Sequence, residues 1–517
     1  MNERSVRLSL ALSLTVLSFS LLFLFYFGWQ IGQTALTDPD TCFLVAVGRQ
    51  ILENGLPAND VFSWTAARPY IVYQWLAAIV FAALFKLVGP QGLVILTGLV
   101  VLYAFFVIPV LVARQVELPR LPLLVAAALG TAAASFHFPC RPEIFSYLLL
   151  SMLIAFCCLP WPGLAAVALC SMLGFILWTN LHSGFVLGLA LLFVLALCSL
   201  LPGRHLIAPS KLWAALLAAL AGSLFSPYGM ALWTYLPHLF FSRVNRLNLE
   251  LLPLSIWELL TFDYMPFLGL LALVFAGLLY VLKDLMQKNG KLSFSDNLLA
   301  FSILAALAPC MAIGCRRLLP FAVLLIYGFV YAFFLAQGHA RRQLVGAVNE
   351  SEVAKNNGAA GLLDLVLRPW CAIGFCSLAT VAGIAVATSF FPASLPQTTF
   401  GFELPSQALA FIDQERPQGK LLNDPQFGDV LLLRYGPKAQ VFIDTRFDLY
   451  GDDLVLDFWN MANLRGDWQK LLARYEIDWI FFPPRAPIVD KLRGDRAWRQ
   501  VFADNTAVLL VRQSREN

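Results

Sequence analysis

The sequence predicts a polytopic α-helical membrane protein of about eleven transmembrane helices, with juxtamembrane helices in the first external loop and a small soluble α/β domain at the C-terminal end. Three observations carry that prediction. First, the 517 residues are 59% hydrophobic and only 13% charged, against about 25% charged in an ordinary soluble domain, and the mean hydropathy is +0.72. Second, apolar runs of near-spanning length recur from residue 8 to residue 391. Third, the charges are segregated, with 32 of the 68 in residues 392–517. The expected division is a membrane-embedded module, 1–391, and a soluble domain, 392–517. A net charge of +4 gives no nucleic-acid signal, because the basic residues are spread over membrane loops.

The first run, 8–28, exceeds the apolar core of a signal peptide, about 7–15 residues, and no small-residue cleavage site follows it. It reads as an uncleaved first helix with Arg4 and Arg7 in the cytoplasm. Next come two carboxylates, Asp38 and Asp40, and an amphipathic pattern: Phe43, Val47, Ile51 and Leu52 share one helical face, and Arg49, Gln50 and Glu53 the other. A helix of that length is too short to span and suits the membrane surface, with Asp40 at the boundary between lipid and water.

Further apolar runs occupy 71–88, 91–113, 121–136, 143–159, 163–179, 184–201, 212–226, 266–282, 297–314, 318–336 and 370–391. If 71–88 dips into the outer leaflet without crossing, thirteen Lys and Arg face the cytoplasm and seven the outside. If it crosses, the positive-inside bias reverses. The dip is therefore preferred. It makes 29–90 the first external region and puts the C-terminal domain outside. Segment 338–368 reads as a linker. In the C-terminal domain, 405–416 and 453–475 read as helices, and 429–435, 440–444, 478–482 and 508–512 as strands.

On this topology the loops 29–70, 137–142, 180–183, 226–265 and 315–317 open on one outer face. They gather Asp38, Asp40, Asp60, Arg141, Glu143, His182, Glu250, Glu258, Arg316 and Arg317. Guanidiniums match phosphate oxygens bidentately, and a carboxylate can take a proton from an incoming hydroxyl. Such a constellation suits a reaction on a lipid-linked anionic substrate. A lipid-linked saccharide transporter or flippase is the alternative, with a non-catalytic component of an envelope polysaccharide assembly beside it. A transporter would show internal repeats and mid-helix charge, and the sequence has no repeat and almost no such charge. The ten cysteines show no CxxC or Cys/His metal spacing and read chiefly as small apolar side chains.

Five short motifs in order, DPDTCFLVAVGRQILENG from residue 38, FSWTAARPYIVYQWL from 62, HFPCRPEIFSYLLL from 137, WTNLHSGFVLGLALL from 178 and SPYGMALW from 226, resemble the glycosyltransferase C superfamily. That group includes protein mannosyltransferases, the aminoarabinose transferase of lipid A and oligosaccharyltransferases. A further block at 421–453 resembles the C-terminal domain of one bacterial branch. The resemblance implies a multi-pass enzyme of the bacterial inner membrane, with a cytoplasmic N-terminus and a periplasmic C-terminal domain. It would transfer a sugar from a polyprenyl phosphate to a lipid, glycan or protein acceptor. The family's loop aspartate falls on Asp40 as base, and its Arg-Pro-acid turn on Arg141, Pro142 and Glu143. Where many members carry His and an acid, this chain has Tyr73 and Gln74, and where relatives often carry Glu it has Thr41. Those departures remove ligands, so a divalent metal is left open and not required.

Each candidate also has a plain structural reading. Asp40 suits a helix cap; Asp38 shapes a turn before proline; Arg141 and Glu143 suit an ion pair. His182 sits at a helix end, and Arg316 and Arg317 suit interfacial anchors. As donor-site residues the set is Asp38, Arg141, Glu143, His182, Arg316, Arg317 and Trp75, the last by stacking on a sugar. Asp444 and Arg446 are acceptor or sugar candidates, or else a buried pair fixing a turn.

Overall fold

The computed structural model describes residues 18, 21–36, 38–66, 69–115, 120–159, 161–201, 205–244, 249–287, 296–345, 369–389 and 404–513. Arg4, Arg7, Arg68, Arg246, most of the 338–368 linker and the boundary near Phe391 lie outside the described residues.

A helical body comes first. Helix α1 covers 21–34; α2 is Asp40–Asn54 and α3 is Trp75–Val88. One long helix follows as α4 (Pro90–Leu102), a π-helical turn (Tyr103–Val107) and α5 (Ile108–Gln115). Then come α6 (Arg120–Ala134), α7 (Glu143–Cys158), α8 (Leu164–Leu181), α9 (Phe185–Cys198), α10 (Pro209–Ser223) and α11 (Met230–Phe241). The short α12 (Ile256–Leu259) leads to α13 (Met265–Gln287), α14 (Asp296–Gly314), α15 (Leu319–Val345) and α16 (Pro369–Ser389). Among the described residues, five helices are long and apolar enough to cross a bilayer: Pro90–Ala113, Leu164–Leu181, Phe262–Lys283, Asn297–Gly314 and Arg316–Gln337. Trp75–Val88, Val125–Ala134, Glu143–Cys158, Phe185–Cys198 and Cys376–Thr388 are apolar but shorter. This is a polytopic membrane protein. Helix α3, at 14 residues, rises roughly 21 Å, short of a hydrocarbon core of about 30 Å.

The C-terminal residues form α17 (Ser406–Glu415), β1 (Lys420–Asn423), α18 (Pro425–Tyr435), α19 (Phe447–Ala462), α20 (Trp468–Arg474), β2 (Ile477–Phe482), α21 (Pro487–Arg493), β3 (Trp498–Ala503) and β4 (Val508–Arg512). The sheet order is β1-β2-β4-β3. β1 and β2 are parallel, and β4 runs antiparallel to both β2 and β3. Two sequence expectations fail here. Residues 429–435, expected as a strand, belong to α18, because Asp424 caps the helix through the Gln426 N–H and Pro425 occupies its first turn. Residues 440–444 join no sheet; Val441 instead bridges to Ser63.

That bridge docks the domain on the first loop. Val441 N–H donates to the Phe62 carbonyl at 3.0 Å, and Trp64 N–H to the Val441 carbonyl at 3.2 Å. The dock changes the expected role of α2. Its residues Thr41 to Gly48 are buried, with α3 on one side and α18 on the other. Arg49, expected on a solvent face, donates to the Leu433 carbonyl at 3.2 Å and stands over the Phe85 ring. A side chain at Gly48 would strike the Ala78 carbonyl of α3, so this crossing needs glycine.

Candidate active site

The turn before α7 is held against the first loop by backbone chemistry. Cys140 N–H donates to the Ala35 carbonyl at 2.7 Å, and the Thr41 hydroxyl donates to the Cys140 carbonyl at 3.0 Å. Arg141 is thereby fixed beside Asp38 and Asp40. Its Nε faces Asp38 and lies 3.3 Å from Asp40 Oδ2. Its Nη1 and Nη2 grip Glu250 at 2.6 and 3.3 Å. The capping reading of Asp40 does not hold: the side chain makes no cap, and Asp38 Oδ1 accepts the Asp40 N–H at 2.9 Å.

Arg317 follows α14 and pairs through Nε and Nη2 with Glu143, the first residue of α7. His137 Nε2 lies 3.4 Å from the same carboxylate. Burial lowers the His137 pKa to about 4, so that contact is one of a neutral imidazole. His182 is also neutral, since burial lowers it to about 3. Its Nδ1 accepts the Gly184 N–H at 3.0 Å and lies 2.8 Å from Ser146 Oγ, which itself accepts the Trp178 indole N–H at 2.7 Å. This chain fixes the tautomer with the proton on Nε2.

These groups line one cavity of about 1440 Å³. Its polar floor carries Asp38, Asp40, Arg141, Glu143, Glu250 and Arg317, and His182 lies in its wall. Four carboxylates thus face two guanidiniums. Burial is the main force raising Asp40 to about 6; Arg141 opposes the rise and Asp38 adds to it. Although burial works against its charge, Asp40, Asp38 and Glu250 hold Arg141 well above its ordinary range. The apolar wall includes Val186, Leu187, Leu239, Phe240, Phe241 and Phe321.

Three sequence candidates stand apart from the cavity. Arg316 turns away, 2.8 Å from Glu258 in the Ser255 capping box. Trp75 does not line the cavity: its indole donates to Asn180 Oδ1 at 2.7 Å, and the neighbouring Gln74 lines it. Asp444 is fully buried, held by Arg446 Nη2 and the Tyr450 hydroxyl, each at 2.6 Å. Arg446 reaches the cavity edge, but its Nη1 lies 2.7 Å from Asp60 and its guanidinium covers the Tyr70 ring. That pair fastens the domain to the first loop.

Other lining residues carry little sequence signal: His137, Tyr73, Asp424, Thr445 and Asp448. Thr445 belongs to the turn before α19. Its Oγ1 lies 2.8 Å from Asp429 Oδ2, and its N–H donates to Asp429 Oδ1 at 3.2 Å. Asp448 accepts the Tyr235 hydroxyl from α11. Among the described residues, no group of three or more His, Cys, Asp or Glu is arranged to hold a metal ion. Three of the four carboxylates at the site, Asp38, Asp40 and Glu250, converge on Arg141, and Glu143 pairs with Arg317. Cys42, Cys140 and Cys315 are free thiols.

No protein-family model and no curated protein matches the sequence. Solved structures do match. The Archaeoglobus fulgidus oligosaccharyltransferase, tethered to an acceptor peptide containing the NVT sequon, aligns with TM-score 0.50 and 13% identity over 91% of this chain and 68% of that one. ArnT from Cupriavidus metallidurans aligns with TM-score 0.46 and 15% identity in the apo state, over 98% of each chain. Bound to undecaprenyl phosphate, it aligns with TM-score 0.45 and 14% identity over 97% of each. With its helical membrane body and a first loop closed over by the C-terminal domain, this chain shares the fold of the archaeal oligosaccharyltransferase.

Proposed function

We propose that this protein is a membrane glycosyltransferase that moves a sugar from a polyprenyl-phosphate donor to an acceptor on the external face of the bacterial inner membrane. The observation that carries the reading is the pairing, in one cavity, of a carboxyl raised to about 6 with a partly exposed guanidinium and an apolar wall. Asp40 is the base. It takes the proton of the acceptor hydroxyl as that oxygen bonds the anomeric carbon, and the bond from that carbon to the phosphate oxygen breaks. Arg317 stabilises the departing phosphate: it commits Nε and Nη2 to Glu143 but is 30% exposed, leaving Nη1 for an anion. Arg141 is spent on Asp38, Asp40 and Glu250 and orients them. His182 offers Nε2–H to the substrate from the wall. The isoprenoid tail lies along Val186, Leu187 and Leu239. No step is assigned to a metal.

The test is Asp40→Asn, assayed with a panel of undecaprenyl-phosphate-linked hexoses and pentoses that includes one the native protein turns over. Replacing the base is expected to lower transfer by about a hundredfold or more, with normal membrane accumulation. Unchanged transfer by the variant removes Asp40 from the mechanism.

A further inference from the structure

Among the described residues, six carboxyl groups line the cavity against three guanidiniums. A phosphate entering that excess of negative charge is repelled unless a carboxylate gives way. The carboxylates of the floor differ in how firmly they are held. Asp38 is 7% exposed and turned to Arg141 Nε. Glu143 is 4% exposed, opens α7 and is gripped by Arg317. Glu250 is the loose one: its side chain is 38% exposed, and it sits in the single 3-10 turn Leu249–Leu251. A half-exposed carboxylate regains water cheaply when its ion pair breaks, whereas a buried one does not.

The grip of Glu250 is also the one a phosphate would use. Its Oε2 accepts from Arg141 Nη1 at 2.6 Å and its Oε1 from Nη2 at 3.3 Å. A phosphate presents two oxygens to the same guanidinium fork. We propose that Glu250 and the donor phosphate compete for the Nη1–Nη2 face of Arg141. The phosphate displaces the Glu250 side chain into water and takes over its two hydrogen bonds, so that Arg141 joins Arg317 as a phosphate ligand. This deepens the reading of the cavity as a donor site and rests on it. Arg141 keeps Asp38 and Asp40 at its Nε, so the exchange leaves the base in place. One carboxylate leaves as one anion enters, and the charge of the floor changes little. The backbone beside Glu250 does not have to follow. Leu254 N–H donates to the Ile313 carbonyl at 2.8 Å, and Arg316 pairs with Glu258 at 2.8 Å, which ties the loop to the end of α14.

The test needs neither the sugar nor the acceptor. Binding of undecaprenyl phosphate to the intact purified protein is titrated by native mass spectrometry and read as a dissociation constant. Glu250→Gln removes the competing charge and is expected to tighten binding by about tenfold. Undecaprenol has the tail without the phosphate, and it is expected to bind native protein and variant alike. Should the glutamine variant fail to accumulate, Glu250→Ala is read in the same way. Equal binding of the lipid phosphate by native protein and variant, or weaker binding by the variant, overturns the inference and leaves the donor reading standing. A gain of the same size for undecaprenol also overturns it, because the substitution would then only have opened the cavity. If neither protein binds undecaprenyl phosphate, the donor reading fails and this inference falls with it.

Discussion

Asp40 is poised by opposing forces on one carboxyl. Burial and Asp38 favour its neutral form, and Arg141 and Arg317 its charged form, with the net result near 6. Two pH effects follow, with opposite signs. Activity that needs ionised Asp40 falls as pH drops through about 6, which a pH–rate profile measures. Stability moves the other way. The folded-state value lies above the ordinary 3.8, so between those values the folded chain holds a proton that the unfolded chain has lost. Ionising Asp40 therefore opposes folding, and its contribution declines as pH rises across that window. Thermal unfolding of the native protein, compared with Asp40→Asn over the same pH range, isolates that contribution. Asp38, Asp40, Arg141, Glu143 and Arg317 were legible because ionised groups at the ends of apolar runs are rare and stand out. Thr445 and Tyr73 were not: a hydroxyl in a soluble turn and an aromatic near a membrane boundary are ordinary in sequence. Adjacent arginines could not be told apart either, and only the fold turns Arg317 to the cavity and Arg316 to Glu258.

At the scale of elements, α2 decides the geometry of the site because Asp40 is its first residue. Its close approach to α3 is set at Gly48, where any side chain meets the Ala78 backbone. Gly48→Leu is expected to destabilise the protein by about 1–3 kcal/mol, read as a lower unfolding temperature in detergent; an unchanged temperature would mean the crossing tolerates separation. The period of apolar residues correctly gave a helix here but misjudged its surroundings. A polar face reads as solvent-facing in any one-dimensional pattern, yet here Arg49 is drawn to the Leu433 carbonyl of α18, while Glu53 stays exposed. The error in α18 itself has a similar cause. A short apolar run such as Val430 to Leu433 suits a buried strand or a buried helix equally, and the start signal at Asp424 and Pro425 settles which.

For the whole molecule, the C-terminal domain supplies one wall of the cavity while it sits on the first loop. Arg446 is the main fastener, sandwiched between Asp60 and Asp444 with all three buried. Arg446→Leu leaves two buried carboxylates unpaired and is expected to cost about 3–5 kcal/mol. Limited proteolysis would then release a fragment near residues 404–513, whereas native-like resistance would show that the other contacts suffice. The docking partners lie at least 209 residues apart in sequence, and 386 apart for Asp60 and Arg446, so no local pattern reveals them. The order of the short motifs disclosed the fold, but it held no record of what closes over the cavity.

The central claim is that this cavity receives a polyprenyl phosphate. A structure of the protein determined with undecaprenyl phosphate tests it most directly. The expected result places the phosphate within hydrogen-bonding distance of Arg317, beside Asp40, with the tail along Val186, Leu187 and Leu239. A lipid phosphate bound elsewhere on the protein, with this cavity empty of it, would contradict the account.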